Sequence, residues 1–416
     1  MRQKLLRETT RHDGMKIVSR RLIGMNTVRV AAVARVGSAY DPDDLHGLFH
    51  AFEHMGFQGT ERRSADDIDS YTEEYLGNYN AYTDLLWTNF YGEAAYPCFN
   101  ELCDLVFDCY LHSTFPEDRL AKEKGTICGE IRIAQDNDYQ NAHAALITLL
   151  WEKNPLRTSG VGTIIEHIQS ITQELLFETR SKWYIPSNTV VVGTGKINHD
   201  LLVTKVNKAF PPDYRTIEHP RWDLEFPDEF APKECAVKKP DRNGAIIMTG
   251  CKIGIPSERE FFMAWILLQM LGSGANSLLW QEMRMKREAY AVWANIEGFE
   301  RLGYAFTFGT EIDPEQQDEA KELLYAIPCE FELSVPHFMR TKQGLIRNLS
   351  THLETPQAWE HTILYQIVDR EKDLSTFHDY AKKRKKILES ISFEEIIAFR
   401  KKILARDWMA LVMLTP

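Results

Sequence analysis

The residues of this 416-residue chain that could most readily do chemistry are His50, Glu53 and His54, in the order H-x-x-E-H. On a helix, positions i, i+3 and i+4 lie on one face, so the three side chains can converge on one point. Two neutral imidazoles suit Zn²⁺, and a carboxylate between them can take a proton from a water that the metal activates. The pattern therefore predicts a zinc site with Glu53 as the base. The simpler alternative is a helix that carries two solvated histidines.

A catalytic zinc site needs three protein ligands and one open position, so the motif leaves one ligand to be found. The pattern predicts a helix from Phe115 to about Asp138, with Pro116 at a plausible first helical position. Glu123 and Glu130 lie seven residues apart on it, two turns along one face. Either glutamate could be the third ligand, while the other orients a histidine or the metal from behind. A solvated charged helix face would have the same spacing.

The neighbouring elements must hold these side chains in place. Apolar spacing predicts a helix from about Asp43 through the motif to Met55. Ser64 is a good N-cap for a second helix, which ends near Gly77. The remaining predicted elements are an opening strand that turns at His12-Asp13-Gly14, strands over 15–21 and 27–36, two strands flanking Asp84, and long helices over 97–154.

Composition favours a soluble enzyme of more than one domain. A net charge of −11 argues against nucleic acid or an anionic membrane as the main partner. No apolar run reaches 18 residues, and the segment from Met1 to Lys16 has no signal-peptide core. Seven cysteines without a Cys-x-x-Cys pair indicate reduced thiols and a cytoplasmic location. We expect Cys98, Cys103 and Cys109 to be core residues.

A proline-rich stretch divides the chain into two similar halves. We predict a zinc-binding domain over 1–210, a linker over 211–240 and a second domain over 241–416. The corresponding segments of the halves are 43–56 with 258–272, 79–82 with 290–293, and 115–130 with 335–349. In this alignment the positions of His50, Glu53, His54 and Glu130 are taken by Trp265, Leu268, Gln269 and Leu349. We therefore expect one zinc ion per chain, bound in the first half.

The run from Gly47 to Thr60, which contains the motif, resembles the signature of the pitrilysin family of zinc metallopeptidases, the inverzincins. This family includes insulin-degrading enzyme and the mitochondrial processing peptidases. Its third ligand is a Glu about 76 residues beyond the second His, which is Glu130 here, with an acid seven residues earlier, which is Glu123. Other resembling segments are Asn80-Ala81-Tyr82-Thr83 with Thr88 and Tyr91, Pro186-Ser187-Asn188 with Gly193-Thr194-Gly195, and Leu271-Gly272-Ser273-Gly274 through Arg284 and Tyr290. Phe49 and Leu86 depart from the pattern.

The resemblance implies an α+β fold of two homologous domains, each an antiparallel-rich sheet packed against helices, that together form half of a four-domain clam. It implies that His50, His54 and Glu130 bind zinc, that Glu123 supports them, and that Glu53 is the general base. Asn80, Ala81, Tyr82 and Thr83 would lie along a peptide substrate. Arg284 and Tyr290 would reach the zinc site and stabilise the oxyanion.

The expected function is a zinc endopeptidase that cleaves unstructured peptides, in degradation or in processing, inside a dimeric chamber. The dimer could be a homodimer or a heterodimer with a related subunit. The alternative is a non-catalytic structural or partner subunit of the same fold. Such subunits generally lose their metal residues, whereas this chain keeps His50, Glu53, His54, Glu123 and Glu130.

Overall fold

The computed structural model describes residues 5–151, 153–157, 164–222, 233–351, 353–371, 374, 377 and 380–416. In chain order the strands are β1 (Leu6–Thr10), β2 (Lys16–Arg21), β3 (Thr27–Ala34), β4 (Asn78–Thr83), β5 (Thr88–Ala95), β6 (Thr189–Gly195), β7 (Glu234–Lys238), β8 (Ala245–Gly254), β9 (Ala291–Phe299), β10 (Gly303–Ile312) and β11 (Ala410–Thr415). The helices are α1 (Leu48–Met55), α2 (Ala65–Tyr75), α3 (Phe99–His112), α4 (Glu117–Asp136), α5 (Asp138–Leu150), α6 (Ile165–Ser170), α7 (Gln173–Trp183), α8 (His199–Ala209), α9 (Glu258–Leu271), α10 (Gln317–Cys329), α11 (Val335–Thr351), α12 (Pro356–Leu364), α13 (Tyr380–Ser390) and α14 (Phe393–Ile403).

The chain forms two compact units, and each unit draws on three segments. Unit 1 consists of Met1–Ile133, Thr158–Pro220 and His352–His378. Unit 2 consists of Ala134–Arg157, Arg221–Thr351 and Asp379–Pro416. In the described part of the chain, each unit contains one sheet, packed against helices.

The sheet of unit 1 has the strand order β1-β2-β6-β3-β5-β4. All neighbouring strands are antiparallel except β2 and β6, which are parallel. Alternate residues of β3, such as Val30 and Ala32, are buried in one core with α1 and α3. The next residues along β3 lie on the opposite face of the sheet, against which α12 packs. Strand β4 is at the edge of this sheet.

Most of the predicted elements of the first half are confirmed. The turn at residues 12–14 joins β1 to β2, and Ser64 begins α2 with a capping box that includes Asp67. Two predicted starts are wrong. Helix α1 begins at Leu48 and not near Asp43, because Gly47 has a φ of 93° that no right-handed helix can continue. Helix α4 begins at Glu117, because Phe115 also has a positive φ, of 49°.

The sheet of unit 2 repeats that of unit 1 without its first strand. Its order is β7-β11-β8-β10-β9, and β7 and β11 are its parallel pair. The strands β11, β8, β10 and β9 thus correspond to β6, β3, β5 and β4. Helix α9 corresponds to α1, and in it Trp265 and Leu268 pack into the core of unit 2 together with Leu349 of α11. These are positions that the sequence alignment matched with metal-site residues.

The two halves of the chain exchange a helix. Helix α5, from the first half, packs against β8 and β11, while α12, from the second half, packs against the corresponding strands β3 and β6. The domain boundaries predicted from the sequence remain a prediction. Each compact unit includes a segment from the other half of the chain. One part of the predicted linker is corrected: residues 234–238 form β7, because their main chain pairs with β11. Residues 223–232 of that linker lie outside the described residues.

Two further sequence expectations concern cysteines and membranes. All seven cysteines are free, and Cys103 and Cys109 are buried in the core, with Cys98 packed against it. Among the described residues, no helix combines the length and the apolar character that crossing a membrane requires.

A buried ion pair binds α12 to the sheet of unit 1. The Arg29 guanidinium donates from Nε to Glu360 Oε2 at 2.7 Å and from Nη2 to Oε1 at 3.1 Å. Asn89 also donates to Glu360, at 2.8 Å. Burial works against the charge of Arg29, but the Glu360 carboxylate beside it raises the pKa of the guanidinium. Each of the two side chains is at most 3% exposed. If one partner were removed, water could therefore not solvate the charge of the other.

We expect Glu360→Ala to lower the free energy of unfolding by about 3–5 kcal/mol, because Arg29 would keep a buried charge without a partner. The double variant Arg29→Met/Glu360→Leu should recover most of this loss. Urea unfolding measures both. As a control, Asp200→Asn breaks the exposed pair with Arg7 and should leave the unfolding curve nearly unchanged. Equal losses in Glu360→Ala and in the double variant would show that the buried pair itself stabilises the fold.

Candidate metal centre

The position of α1 depends on a cap that is remote in sequence. Gly47 precedes the helix in a left-handed conformation and provides no side chain. Instead, the Asp41 carboxylate accepts the N–H of Gly47 at 2.7 Å and that of Phe49 at 3.1 Å. Burial raises the pKa of Asp41 to about 7, although these backbone hydrogen bonds lower it in part. Phe49 itself is buried edge-on against Trp183 and so fixes the rotation of the helix.

Three potential ligand atoms converge at the polar face of α1, where His50 and His54 are mostly buried. His50 Nε2 and His54 Nε2 are 3.2 Å apart, and Glu130 Oε2 is 3.7 Å from each of them. In the plane of these three atoms, the point equidistant from them lies about 2.1 Å from each. This distance is the bond length of zinc to an imidazole nitrogen or a carboxylate oxygen. Of the two glutamates on α4, Glu130 belongs to this cluster. The residues therefore fit a zinc ion that has three protein ligands.

Glu123 lies behind His54 and not in the cluster. Its Oε2 accepts a hydrogen bond from His54 Nδ1 at 2.9 Å, and its Oε1 accepts one from Gln58 Nε2 at 3.0 Å. A histidine whose Nδ1 donates to a carboxylate has a proton on that nitrogen and a lone pair on Nε2. The contact thus turns the lone pair of His54 toward the cluster.

Glu53 is held beside the ligands by a residue of β4. The Thr83 hydroxyl donates to Glu53 Oε2 at 2.8 Å. Burial raises the pKa of Glu53, the hydrogen bond from Thr83 lowers it in part, and the charge of Glu130 adds to the rise. A carboxylate whose pKa is raised in this way accepts a proton more readily than an exposed one.

Strand β4 forms the edge of the sheet next to this helix, and on its outward side the Ala81 N–H donates to Asn80 Oδ1 at 2.9 Å. Among the described residues it pairs with no strand other than β5, and Asp84 N–H donates to Trp87 C=O at the turn between the two. Because antiparallel pairing alternates, the main-chain groups of Tyr79, Ala81 and Thr83 point away from β5. The Thr83 side chain reaches α1, whereas the side chains of Asn80 and Tyr82 are on the opposite face of the sheet, where Tyr82 contacts His361 of α12.

Comparison with known proteins assigns the family. A model of the insulinase peptidases, peptidase family M16, matches residues 16–164. A model described as the peptidase M16 inactive domain matches residues 170–332, so the two matches together cover well over half of the chain. The chain belongs to peptidase family M16. The resemblance drawn from the H-x-x-E-H run is thereby confirmed, and the first match contains every residue of the metal cluster.

Relatives of this M16 chain include several named as proteases. An "uncharacterized zinc protease" of Streptomyces coelicolor is 28% identical over 312 residues, which are 72% of this chain and 66% of the relative. One from Bacillus subtilis is 26% identical over 306 residues, 73% of each chain. A probable mitochondrial-processing peptidase subunit beta of Arabidopsis thaliana is 27% identical over 204 residues, 49% of this chain and 38% of the relative. The matched stretch thus spans just under two thirds of the Streptomyces relative and far less of the plant subunit.

Solved structures confirm the predicted fold class. A protease from Helicobacter pylori has a TM-score of 0.85 at 17% identity and covers 99% of both chains. A peptidase M16 inactive domain from Pseudomonas fluorescens has a TM-score of 0.83 at 16% identity, over 99% of this chain and 98% of that one. The periplasmic protease PqqL from Escherichia coli has a TM-score of 0.79 at 15% identity over 99% of this chain, but over only 48% of its own.

Two predicted residues of the M16 site belong to unit 2. Arg284 lies in a π-helical turn over Trp280–Met285, and its guanidinium donates to the C=O of Ala289 at 2.6 Å. Tyr290 precedes β9, is 60% exposed, and donates its backbone N–H to Glu311. These contacts of Arg284 and Tyr290 lie within unit 2. Their role toward the zinc site remains a prediction.

Sequence reasoning missed three features of the site. Asp41 was not considered, because it lies six residues before Gly47, too far from the helix for the usual N-cap spacing to indicate it. Thr83 was predicted only to lie along the substrate, and the contact of its hydroxyl with Glu53 was not foreseen. Gln58 stands in the motif run, yet no spacing relates it to Glu123, 65 residues away. Only the folded chain brings these groups into contact.

The buried Asp41 generates a pH-dependent prediction. Its pKa rises from about 4 in the unfolded chain to about 7 in the folded one, so the folded state binds the proton more tightly. Its contribution to stability is therefore complete below pH ~4 and is lost as the pH rises to about 7. Relative to Asp41→Asn, the zinc-free wild-type chain should lose roughly 2–4 kcal/mol between pH 4.5 and 7.5.

Urea unfolding of both chains across this pH range tests the prediction. Asp43→Asn, an exposed change in the same loop, is the control and should follow the wild-type chain. If wild type and Asp41→Asn show the same pH dependence, Asp41 does not titrate in this window.

Proposed function

We propose that this chain is a zinc-dependent endopeptidase that hydrolyses unstructured peptides. The observation that carries the proposal is the convergence of His50, His54 and Glu130 at bonding distance for one zinc ion, with Glu53 beside them on the same helix. The zinc protease names of relatives support the reaction class. A helix with two solvated histidines would not need a glutamate from α4 within 3.7 Å of both imidazoles.

In the proposed reaction the three ligands hold the metal and Glu53 moves the proton. Zinc, when bound, supplies a Lewis acid that polarises the scissile carbonyl and makes a water acidic enough to be deprotonated near neutral pH. Glu53 takes the proton of the attacking water and later delivers it to the leaving nitrogen. Thr83 keeps the Glu53 carboxylate in place through both steps, because its hydroxyl donates to the oxygen Oε2.

The substrate would add to the free edge of β4. Main-chain groups at Tyr79, Ala81 and Thr83 can pair with an extended peptide, and the Ala81 N–H would then exchange its hydrogen bond to Asn80 Oδ1 for one to the peptide. The peptide would run past Thr83, the residue that contacts Glu53. Pairing of this kind needs an unfolded segment and reads little of its sequence. We therefore expect broad specificity, with Asn80 to Thr83 as the substrate-binding strand.

One zinc ion per chain is part of the proposal. Within the part of the chain that the structure describes, a single cluster of His, Cys, Asp or Glu side chains is suited to a metal, and it is the cluster on α1 and α4. The corresponding positions Trp265, Leu268 and Leu349 pack in the core of unit 2. The match of 170–332 to a family of inactive domains is in keeping with this role.

The decisive variants are Glu53→Gln and Glu130→Gln. Glu53→Gln should keep zinc and lose at least about 10²-fold in kcat, because an amide of similar shape cannot take the proton. Glu130→Gln should lose the metal itself, since the cluster keeps only two strong ligands. Zinc content by atomic absorption and cleavage of an unfolded peptide measure the two effects separately.

Glu117→Gln is the matched control, because Glu117 is an exposed glutamate on α4 outside the cluster. It should keep both zinc and activity. Full activity in Glu53→Gln would remove Glu53 from the mechanism, and unchanged zinc in Glu130→Gln would remove Glu130 from the ligands. A wild-type chain that binds zinc but cleaves no peptide would support the alternative, a non-catalytic partner subunit.

Arg284 and Tyr290 are proposed to stabilise the oxyanion of the tetrahedral intermediate. Tyr290→Phe and Arg284→Ala should each lower kcat by roughly 10²-fold with normal zinc content, the usual effect of losing one such donor. If both donors act on one oxygen, the loss of kcat in the double variant should be well below the sum, in free energy, of the two single losses. A rise in KM alone would mean that the pair only anchors substrate.

The working form is proposed to be a homodimer that encloses a chamber, in the cytoplasm. The fold of this chain matches 48% of the length of PqqL, so two copies of this chain would be about as long as that single chain. Seven free cysteines are in keeping with a reducing compartment. Light scattering at assay concentration should give twice the chain mass. A fully active monomer would overturn the chamber, and a requirement for a related subunit would make the dimer a heterodimer.

A further inference from the structure

Gln58 makes a contact that links the end of the motif helix to the support of His54. It lies three residues after Met55, the last residue of α1, and its Nε2 donates to Glu123 Oε1 at 3.0 Å. The other oxygen of the same carboxylate accepts from His54 Nδ1 at 2.9 Å. One carboxylate therefore joins Gln58 to the imidazole that faces the metal cluster.

The chemistry of the three groups sets the direction of each hydrogen bond. An ionised carboxylate can only accept, so the amide must present its NH₂ end and the imidazole must present Nδ1–H. With Oε1 engaged by Gln58, the carboxylate cannot rotate freely about its terminal bond. Oε2 is then kept in line with His54 Nδ1, and the lone pair of Nε2 is kept on the side of the cluster.

Gln58 is itself held by a buried network. Its loop is anchored at Thr60, whose hydroxyl donates to Asp108 at 2.9 Å, and Asp108 is only 1% exposed. Arg62 and Arg63 both bind Asp108 as well, and Arg63 also lies over the Tyr71 ring. The Gln58 side chain therefore starts from a main chain that is fixed to α3, and the positioning it gives does not depend on a flexible loop.

We propose that Gln58 is a positioning residue that acts through Glu123 to keep His54 in its zinc-binding tautomer. The inference rests on the proposed function, because it takes the cluster to be a zinc site. An amide orients Glu123 without neutralising it, so the full negative charge of the carboxylate acts on the imidazole proton and makes Nε2 a better ligand. A cationic side chain at position 58 would also orient the Glu123 carboxylate, but its positive charge would offset part of the negative charge that acts on His54.

The test compares Gln58→Leu, which removes the donor, with Gln58→Glu, which places a second carboxylate beside Glu123. Competition with a chelator of known affinity measures the zinc dissociation constant. Gln58→Leu should weaken zinc binding about tenfold, the lower end of what partners behind metal ligands contribute, and Gln58→Glu should weaken it further. Gln169→Leu is the control, because Gln169 also binds α4, at Cys128, but does not touch Glu123.

A double-variant cycle separates positioning from a general structural effect. In a Glu123→Ala background, Gln58→Leu should change the zinc dissociation constant by less than about twofold, because its route to His54 is gone. An undiminished tenfold effect in that background would overturn the proposal. So would equal losses in Gln58→Leu and in the Gln169→Leu control.

A readout without metal keeps the test independent of the proposed function. In the zinc-free chain at pH 8, nitrogen NMR should find His54 mainly as the Nδ1–H tautomer, and Gln58→Leu should shift it to a mixture of tautomers. An unchanged tautomer in a folded Gln58→Leu chain would overturn the inference. Failure of the wild-type chain to bind zinc or to cleave peptide would instead count against the proposed function, and the NMR comparison would still decide the role of Gln58.

Discussion

The position of helix α1 is the constraint on which the candidate site depends. Two imidazoles and a carboxylate must meet within bonding distance of one ion, and a rotation of α1 by a fraction of a turn would separate them. The helix is therefore fixed at both ends. Asp41 holds its first N–H groups, and the loop after its last turn is bound through Thr60 to the buried Asp108. The ligand geometry therefore depends on these contacts as well as on the helix itself.

Burial has a cost at each of these points, and the fold offsets it with specific donors. Desolvation raises the pKa values of Asp41 and Glu53, while backbone N–H groups and the Thr83 hydroxyl act in the opposite direction. For Glu53 the remaining rise is useful, because a base of this kind must be basic enough to take a proton from water. On the other face of the sheet, Glu360 has three donors from Arg29 and Asn89, as a buried carboxylate needs.

The duplicated sheets explain why one half of the chain carries the cluster and the other does not. Apart from β1, the strands of the two sheets have corresponding orders. In each unit a matching helix follows the corresponding strand in the chain, α1 after β3 and α9 after β8. In unit 1 that helix presents His50, Glu53 and His54. In unit 2 the matching helix presents Trp265 and Leu268, which pack in a core that includes Leu349. Apolar packing at these positions stabilises the second unit, and the neutral amide of Gln269 is no substitute for the strong zinc ligands of the first.

Much of the site was determined by the sequence itself, because local spacing specifies local geometry. The i, i+3, i+4 pattern of His50, Glu53 and His54 requires a common helix face, and Ser64, Asp67 and the turn at residues 12–14 determine element ends through short-range hydrogen bonds. The apolar residues at the second copy of the metal positions could also be read directly. By contrast, spacing alone left Glu123 and Glu130 equivalent, since two turns of helix place them on one face whichever of them meets the histidines. Family resemblance favoured Glu130, and in the fold the packing of α4 against α1 brings that residue into the cluster.

Only the tertiary structure decided the remaining contacts, because they join residues that are distant in the chain. Thr83 and Glu53 are 30 residues apart, Gln58 and Glu123 are 65 apart, and Arg29 and Glu360 are 331 apart. No local periodicity relates such pairs. The exchange of α5 and α12 was not predicted for the same reason. The sequence of a helix shows which of its faces is apolar, but it does not show against which sheet that face packs.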